Sequence, residues 1–410
     1  MRRKRTSVIA LSSLLACVSF SVHAQAAHYH QVYAFQTAAN GLNPGFLSSA
    51  GGIIYGTTQV GGGRDNGTVF SLDPATGAET LIFSFKGGID AANPSSSLTK
   101  IGTRLYGATS GGGESNCFTF SCGTVYALNP ATGTETVLHS FQGGSDGFSP
   151  EGSLILVGRL LYGTTLYGGS TTLGNFGYGT VFSLDPTTGI VEIVHAFDQS
   201  DGSGPNSLMN VGGTFYGTTE GGGTYGYGTV FSLDPATGAE NVLYSFKGVL
   251  DGEAPNGLIS FNGVFYGTTV YGGSANCTYS QCAFGTVFSF DPASHAEKVL
   301  YAFNGGNNGA FPGDILAAGN VLYGISSEGG STLNCVTSLG DGCGTVFSLD
   351  LATNVEQILY SFQSGGDGSG PNSLIRFGQT LYGATYEGGG SNKCDLYYDT
   401  GCGTLFQIRR

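Results

Sequence analysis

The groups in this 410-residue chain that could cross-link, ligate a metal or move a proton are nine cysteines, six histidines and 28 acidic residues. Eight cysteines fall into four close pairs: Cys117 with Cys122, Cys277 with Cys282, Cys335 with Cys343, and Cys394 with Cys402. They allow on the order of a hundred pairings, but proximity along the chain makes four local bridges the simplest set. Each would close a short loop and stabilise by roughly 2–3 kcal/mol. Zinc is the competing use of paired cysteines. Spacings of four and seven intervening residues do not suit it, and no Cys-x-x-Cys redox motif is present. Disulfides are therefore expected, and with them an oxidising compartment.

Support for catalysis is thin. His139 and His195 stand where other copies of the same segment carry Phe83, Tyr244 or Tyr360, so packed structural histidines are expected; His295 replaces a turn glycine. No serine has an evident His and Asp framework. No stretch matches the EF-hand loop, so calcium held by an Asp/Asn-rich loop is the minority reading, and neither metal nor cofactor is expected. Glu220, Glu328 and Glu387 occupy equivalent positions, where a solvated rim is the default. Carboxylates brought together from distant segments would still be able to cleave a glycosidic bond.

Recognition has more to work with. Tyr167, Tyr178, Tyr225, Tyr227 and Tyr271 lie in Gly-rich stretches, along with Phe118, Phe120, Phe176, Tyr279, Tyr397 and Tyr398. Asp-Gly pairs occur at Asp146, Asp201, Asp251 and Asp367. Tyrosine beside Asp or Asn suits stacking on a sugar or anchoring a protein. The competing role is to cover a Gly-rich rim.

These residues hang on a repeat. Thirteen residues, "GTVFSLDPATGAE", run from Gly67 to Glu79 and again from Gly228 to Glu240. Near copies of "GTVF" start at Gly67, Gly123, Gly179, Gly228, Gly285, Gly344 and Gly403. A "YG" anchor falls at Tyr55, Tyr106, Tyr162, Tyr216, Tyr266, Tyr323 and Tyr382, with 50 to 59 residues between successive tyrosines. Such a period marks a propeller or a stacked array.

Each unit reads as four short strands: "SLxxxG" (Ser207 to Gly212), "LYGTT" (Leu161 to Thr165), "GTVFSL" and "ETLIFSF". Asp73-Pro74 and Gly77 supply the turn between the last two. Alternation places Leu81, Phe83 and Phe85 on one face, opposite Ile82 and Ser84. Bulky and small uncharged faces suit radial stacking of like sheets. "QVYAF" (Gln31 to Phe35) is an unpartnered fourth strand, and "GTLFQI" (Gly403 to Ile408) is a third strand lacking its fourth. Pairing them closes an all-β, seven-bladed propeller of four-stranded antiparallel blades and removes an open edge. An open solenoid is the alternative. The variable connections between strands two and three share one end of the ring with the four-to-one connections, and binding is expected there.

Composition agrees. There are 72 glycines without a collagen period, and 40% of residues are hydrophobic, against only 10% charged. Residues 1–26 read as a signal peptide: basic Arg2, Arg3, Lys4 and Arg5, an apolar stretch, then small Ala24 and Ala26. Removing them leaves 11 basic against 28 acidic residues, a charge near −17, which disfavours nucleic acid. "LLAC" at Leu14 to Cys17 approximates a lipobox, so lipid attachment at Cys17 competes with plain secretion. No later stretch has the ~20 apolar residues of a membrane span.

"LYGTT…GG…GTVFSLDPATGAE" resembles the GloVer tandem repeat of exported bacterial proteins and, more weakly, kelch blades. The likeness spans nearly all of residues 27–410, a single domain. It implies an exported or surface address rather than a defined chemistry. The chain ends at Arg409-Arg410 without a sorting segment, so an anchor is expected only at the N-terminus. The expected protein is a secreted, periplasmic or surface-held monomeric propeller that binds glycan or a surface protein without catalysis. A polysaccharide-active hydrolase or lyase and a purely structural surface protein are the alternatives.

Overall fold

The computed structural model describes residues 27–113, 116–117, 120–169, 176–273, 284–330, 335, 342–390, 394 and 401–409. Seven four-stranded antiparallel sheets form a ring. Blade 1 runs Leu42–Ala50, Ile53–Val60, Thr68–Leu72 and Glu79–Ser84 from the innermost strand outwards. Blade 7 joins the two ends of the chain. His28–Ala34 pairs with Thr404–Arg409, and Tyr33 lies opposite Leu405. The ring is closed as the unpaired terminal strands imply.

The two repeated anchors have one steric cause. The glycine of each "YG" lies under the aromatic ring of its own third strand. A Cβ on Gly56 would come within 2.4 Å of Phe70, and one on Gly163 within 2.6 Å of Phe182. That ring in turn meets a phenylalanine ending the fourth strand of the preceding blade. Phe85–Tyr126, Phe141–Phe182 and Phe246–Phe288 each meet edge to face with centroids 5.2 Å apart. Seven hydrophobic clusters result, each built from two successive blades. A buried phenylalanine stabilises by about 1.5–3 kcal/mol, and here that energy lies between blades rather than within them.

The glycine of "GTVF" forms a second joint. Gly228, at φ +100°, lies against Pro255 of the next blade's first strand, and a Cβ there would meet Pro255 Cδ at 2.6 Å and the Thr219 carbonyl at 2.3 Å. The residue before each such proline adopts a left-handed conformation, even as Ala254 (φ 52°) or Phe311 (φ 55°). This turns its N–H back onto the previous blade: Ala254 N–H donates to Tyr227 O at 3.1 Å and Phe311 N–H to Phe284 O at 2.9 Å. The same bond recurs at all seven seams. Behind it, buried hydroxyls pair between strands two and three, as in Thr219–Thr229 at 2.9 Å.

Two expectations are corrected. The first strand begins before its Ser-Leu, taking in the x-Pro segment, and in blade 4 it splits into Ser203–Pro205 and Met209–Val211. The fourth strand does not alternate cleanly. Val69 faces Phe83 but Phe70 faces Leu81, so Ile82 is an extra, bulged residue. Leu81 therefore turns 41% exposed while Phe85 is fully buried, and the two do not share a face. All seven blades carry this bulge.

Gly228→Ala is expected to cost roughly 3 kcal/mol or more in chemical denaturation. Gly366→Ala, where nothing approaches, should be near neutral. Tyr126 stands where most blades carry phenylalanine, and its buried hydroxyl lacks a partner among the described residues. Tyr126→Phe should therefore gain about 1–2 kcal/mol in the same measurement.

Candidate functional site

The four-to-one connections hold the Asp-Gly pairs, and their carboxylates serve the loop itself. Asp146 accepts from Gln142 N–H at 2.9 Å and lies 3.1 Å from His139 Nε2. Asp201 accepts from Asp198 N–H at 2.8 Å and lies 3.0 Å from His195 Nε2. Tyrosine takes the histidine's place elsewhere: Tyr244 OH donates to Asp251 at 2.5 Å, and Tyr360 OH to Asp367 at 2.7 Å. His139 and His195 pack edge-on against Phe141 and Phe197. The four aspartates brace turns, and the cue was present in the chain, because six or seven residues separate each partner pair.

The aromatic candidates divide. Tyr271 packs on Phe311 with centroids 5.7 Å apart, and Tyr178 OH donates to Gln199 at 3.4 Å. Tyr227 covers Gly248 yet remains 38% exposed, and Tyr167 stacks on Phe148 yet is 39% exposed. Tyr225 and Phe176 are exposed by more than half. Among the described residues these four are the exposed large aromatics. All end or lie within the two-to-three connections of blades 3 and 4. Phe118, Tyr279, Tyr397 and Tyr398 lie outside the described residues, and Phe120 is described only in its backbone.

The same sector holds two carboxyl groups that sequence reading did not bring together. In four blades a side-chain donor one residue after the proline joins neighbouring innermost strands, as where Asn206 and Asn256 donate to Pro255 O and Pro312 O at 2.8 and 2.9 Å. Blade 3 carries Glu151 in that position. Burial, and then the charge of Glu220 in blade 4, pushes the Glu151 carboxyl up to about 7. Burial raises Glu220 as well, and both carboxylates raise the Tyr167 phenol after burial does. Glu151, Glu220 and the exposed Tyr167 thus lie near enough for their charges to act on one another at the loop end. Glu220 was visible in the sequence, but Glu151 required the proline register.

Three disulfides, Cys117–Cys122, Cys335–Cys343 and Cys394–Cys402, close two-to-three connections, with Cα atoms 5.2 to 5.5 Å apart. They fit an oxidising environment. The fourth expected bridge, between Cys277 and Cys282, is not among these three, because Cys277 and Cys282 both lie outside the described residues. Cys17 and the rest of residues 1–26 lie outside them too. No described helix is long and apolar enough to cross a membrane. A cavity of about 420 Å³ opens at the other end of the ring, between blades 6 and 7, beside Tyr323 and Arg376.

The outer seams carry a further set of acids. Glu79, Glu135, Glu240, Glu297 and Glu356 stand at the start of the fourth strand in five blades, and each has a buried oxygen without a partner among the described residues. Burial, then Asp251, pushes Glu297 up to about 7; burial, then Asp90, does the same to Glu135.

The molecule is thus a disulfide-braced seven-bladed propeller. The Gloeobacter/Verrucomicrobia repeat matches residues 17–176 and 166–397, and the chain belongs to that GloVer family. No curated protein matches the sequence. Among solved structures the ring is similar to an oligogalacturonate lyase in complex with manganese, at 10% identity and TM-score 0.54, covering 93% of this chain and 90% of that one. Oligogalacturonate lyase from Vibrio parahaemolyticus is similar at 9% identity and TM-score 0.54, covering 94% and 97%. A putative 6-phosphogluconolactonase from Bacteroides fragilis reaches 18% identity and TM-score 0.52, covering 82% and 89%. At these identities the likeness is one of fold alone.

A carboxyl with a folded pKa above its unfolded value stabilises at low pH, and that contribution is lost as pH rises through the folded value. For Glu297 the contribution is full below its ordinary 4.5 and disappears through about 7. The melting midpoint should therefore fall between pH 5 and pH 8, by roughly a few degrees. Glu297→Gln should flatten that fall in differential scanning fluorimetry.

Proposed function

We propose that this protein is an exported binding module that takes polar, sugar-like ligands at the loop end of blades 3 and 4. The observation that carries this reading is the concentration of exposed aromatics there: Tyr167, Phe176, Tyr225 and Tyr227. Large aromatic faces left in water favour stacking against the apolar face of a pyranose ring. Protonated Glu151 and neighbouring Glu220 supply a donor and an acceptor for hydroxyls. Disulfides and the N-terminal basic-then-apolar segment support export, with Cys17 as the lipid anchor if it is retained. The protein is a monomer in this reading, since its ring closes with its own terminal strands.

A second reading draws on Glu151. A carboxylic acid protonated near neutrality beside a carboxylate is what glycosidic cleavage requires. In this version Glu151 is the proton donor and Glu220 the base or nucleophile, with aromatic binding unchanged.

A glycan array followed by calorimetry tests both. Tyr225→Ala and Tyr227→Ala should each weaken ligand binding by about tenfold, since one stacked ring contributes roughly 1–2 kcal/mol, and Tyr225→Ala, at the more exposed ring, should do so without shifting the melting midpoint. An array without hits, or affinity indifferent to both changes, refutes the binding reading. Release of reducing ends that disappears in Glu151→Gln would assign catalysis instead.

A further inference from the structure

The seven outer seams are near-copies, and one differs in its chemistry. At each, a fourth-strand side chain, a residue of the following loop, and a residue at the start of the next blade's fourth strand face one another. Two seams combine tyrosine, Asn and Glu: Tyr33, Asn40 and Glu79, then Tyr301, Asn308 and Glu356. Between blades 4 and 5, the Tyr244 hydroxyl reaches both Asp251 and Glu297, at 2.5 and 3.3 Å. Between blades 2 and 3, His139 and Asp146 face Val191, which takes the glutamate's place. Among the described residues, only the seam between blades 3 and 4 combines histidine with two carboxylates.

There, His195 Nε2 and one oxygen each from Asp201 and Glu240 all lie within 4.8 Å of one another. Glu240 Oε1 is buried without a hydrogen-bond partner among the described residues. His195 Nε2 is 3.0 Å from an Asp201 oxygen, and the main chain at Gly238 lies beside the ring. Asp198 is the remaining charged group nearby, and it is committed to its own turn through Ser200 N–H at 2.7 Å.

We propose that His195, Asp201 and Glu240 form a binding site for a divalent transition cation of the zinc class, bridging blades 3 and 4. One imidazole and two carboxylates suit such an ion, with water completing the shell. Tetrahedral ligands around zinc stand about 3.3 Å apart, so closure needs side-chain movements of roughly 1 Å and no change of backbone. The ion would give the buried Glu240 oxygen the partner it lacks among the described residues. Its role is a cross-blade staple beside the proposed ligand sector, on which it does not depend.

The test uses the exported protein (residues 27–410) stripped with a chelator and titrated with Zn²⁺ alone at neutral pH. Calorimetry should find one high-affinity equivalent, and the melting midpoint should rise with added Zn²⁺. Glu240→Gln keeps size and hydrogen-bonding capacity and should weaken that equivalent at least about tenfold, as should His195→Ala if it folds. His139→Ala, at the seam lacking the glutamate, should leave it unchanged. Absence of a sub-millimolar equivalent, or binding that Glu240→Gln leaves intact, would overturn the assignment. A loss of binding in His139→Ala equal to that in Glu240→Gln would overturn it as well.

Discussion

Everything in this ring depends on how closely two backbones approach at the inner seam. A glycine at φ near +90° to +100° lets the third strand of one blade meet the proline of the next with no Cβ between them. The residue before that proline then turns left-handed so that its N–H reaches back across the seam. Non-glycine residues such as Phe311 bear a conformational cost of order 1–2 kcal/mol to do so. That cost persists because the alternative is an unpaired buried donor. Since the hydrophobic clusters also straddle the seams, a blade alone has no core, and the ring must close for any blade to be stable. The pairing of His28–Ala34 with Thr404–Arg409 supplies that closure.

Much of this could be read in the sequence because it is written seven times. Tyr-Gly and Gly-Thr-Val-Phe recur wherever a ring needs a glycine floor, so counting them counts blades. The vacancy at Gly403–Ile408 and the spare strand at Gln31–Phe35 predicted closure for the same reason. The bulge at Ile82 was not legible. An inserted residue leaves composition and local alternation intact, and it is revealed only by the partner strand opposite. Hence Leu81 and Phe85 were assigned one face in error.

The candidate site was legible in part, divided by range of interaction. Aspartates at 146, 201, 251 and 367 were visible as loop residues, and their His or Tyr partners lie six or seven residues earlier, within local reach. Glu151 meets Glu220 from another blade, and Glu240 meets His195 from 45 residues away. Neither pairing leaves a local signature. Each requires the register that the proline and the bulge impose. Aromatic exposure was equally hidden, since Tyr271 and Tyr225 occupy similar Gly-rich sequence and differ only in what packs beside them.

The inner joints are made mostly by main-chain groups, glycine and proline, so they constrain few side chains on the outer strand or the connecting loops. Departures from the repeat can therefore accumulate at those positions without loosening the ring. They are not evenly spread. Blade 3 carries Glu151 after its proline and Val191 where five blades have the seam glutamate. Blade 4 adds the exposed Tyr225 and Tyr227. A sevenfold scaffold provides six internal standards for each position. Exposed aromatics concentrate at one pair of neighbouring blades because the inner joints place no demand on the two-to-three connections, and the proposed binding role rests on that concentration.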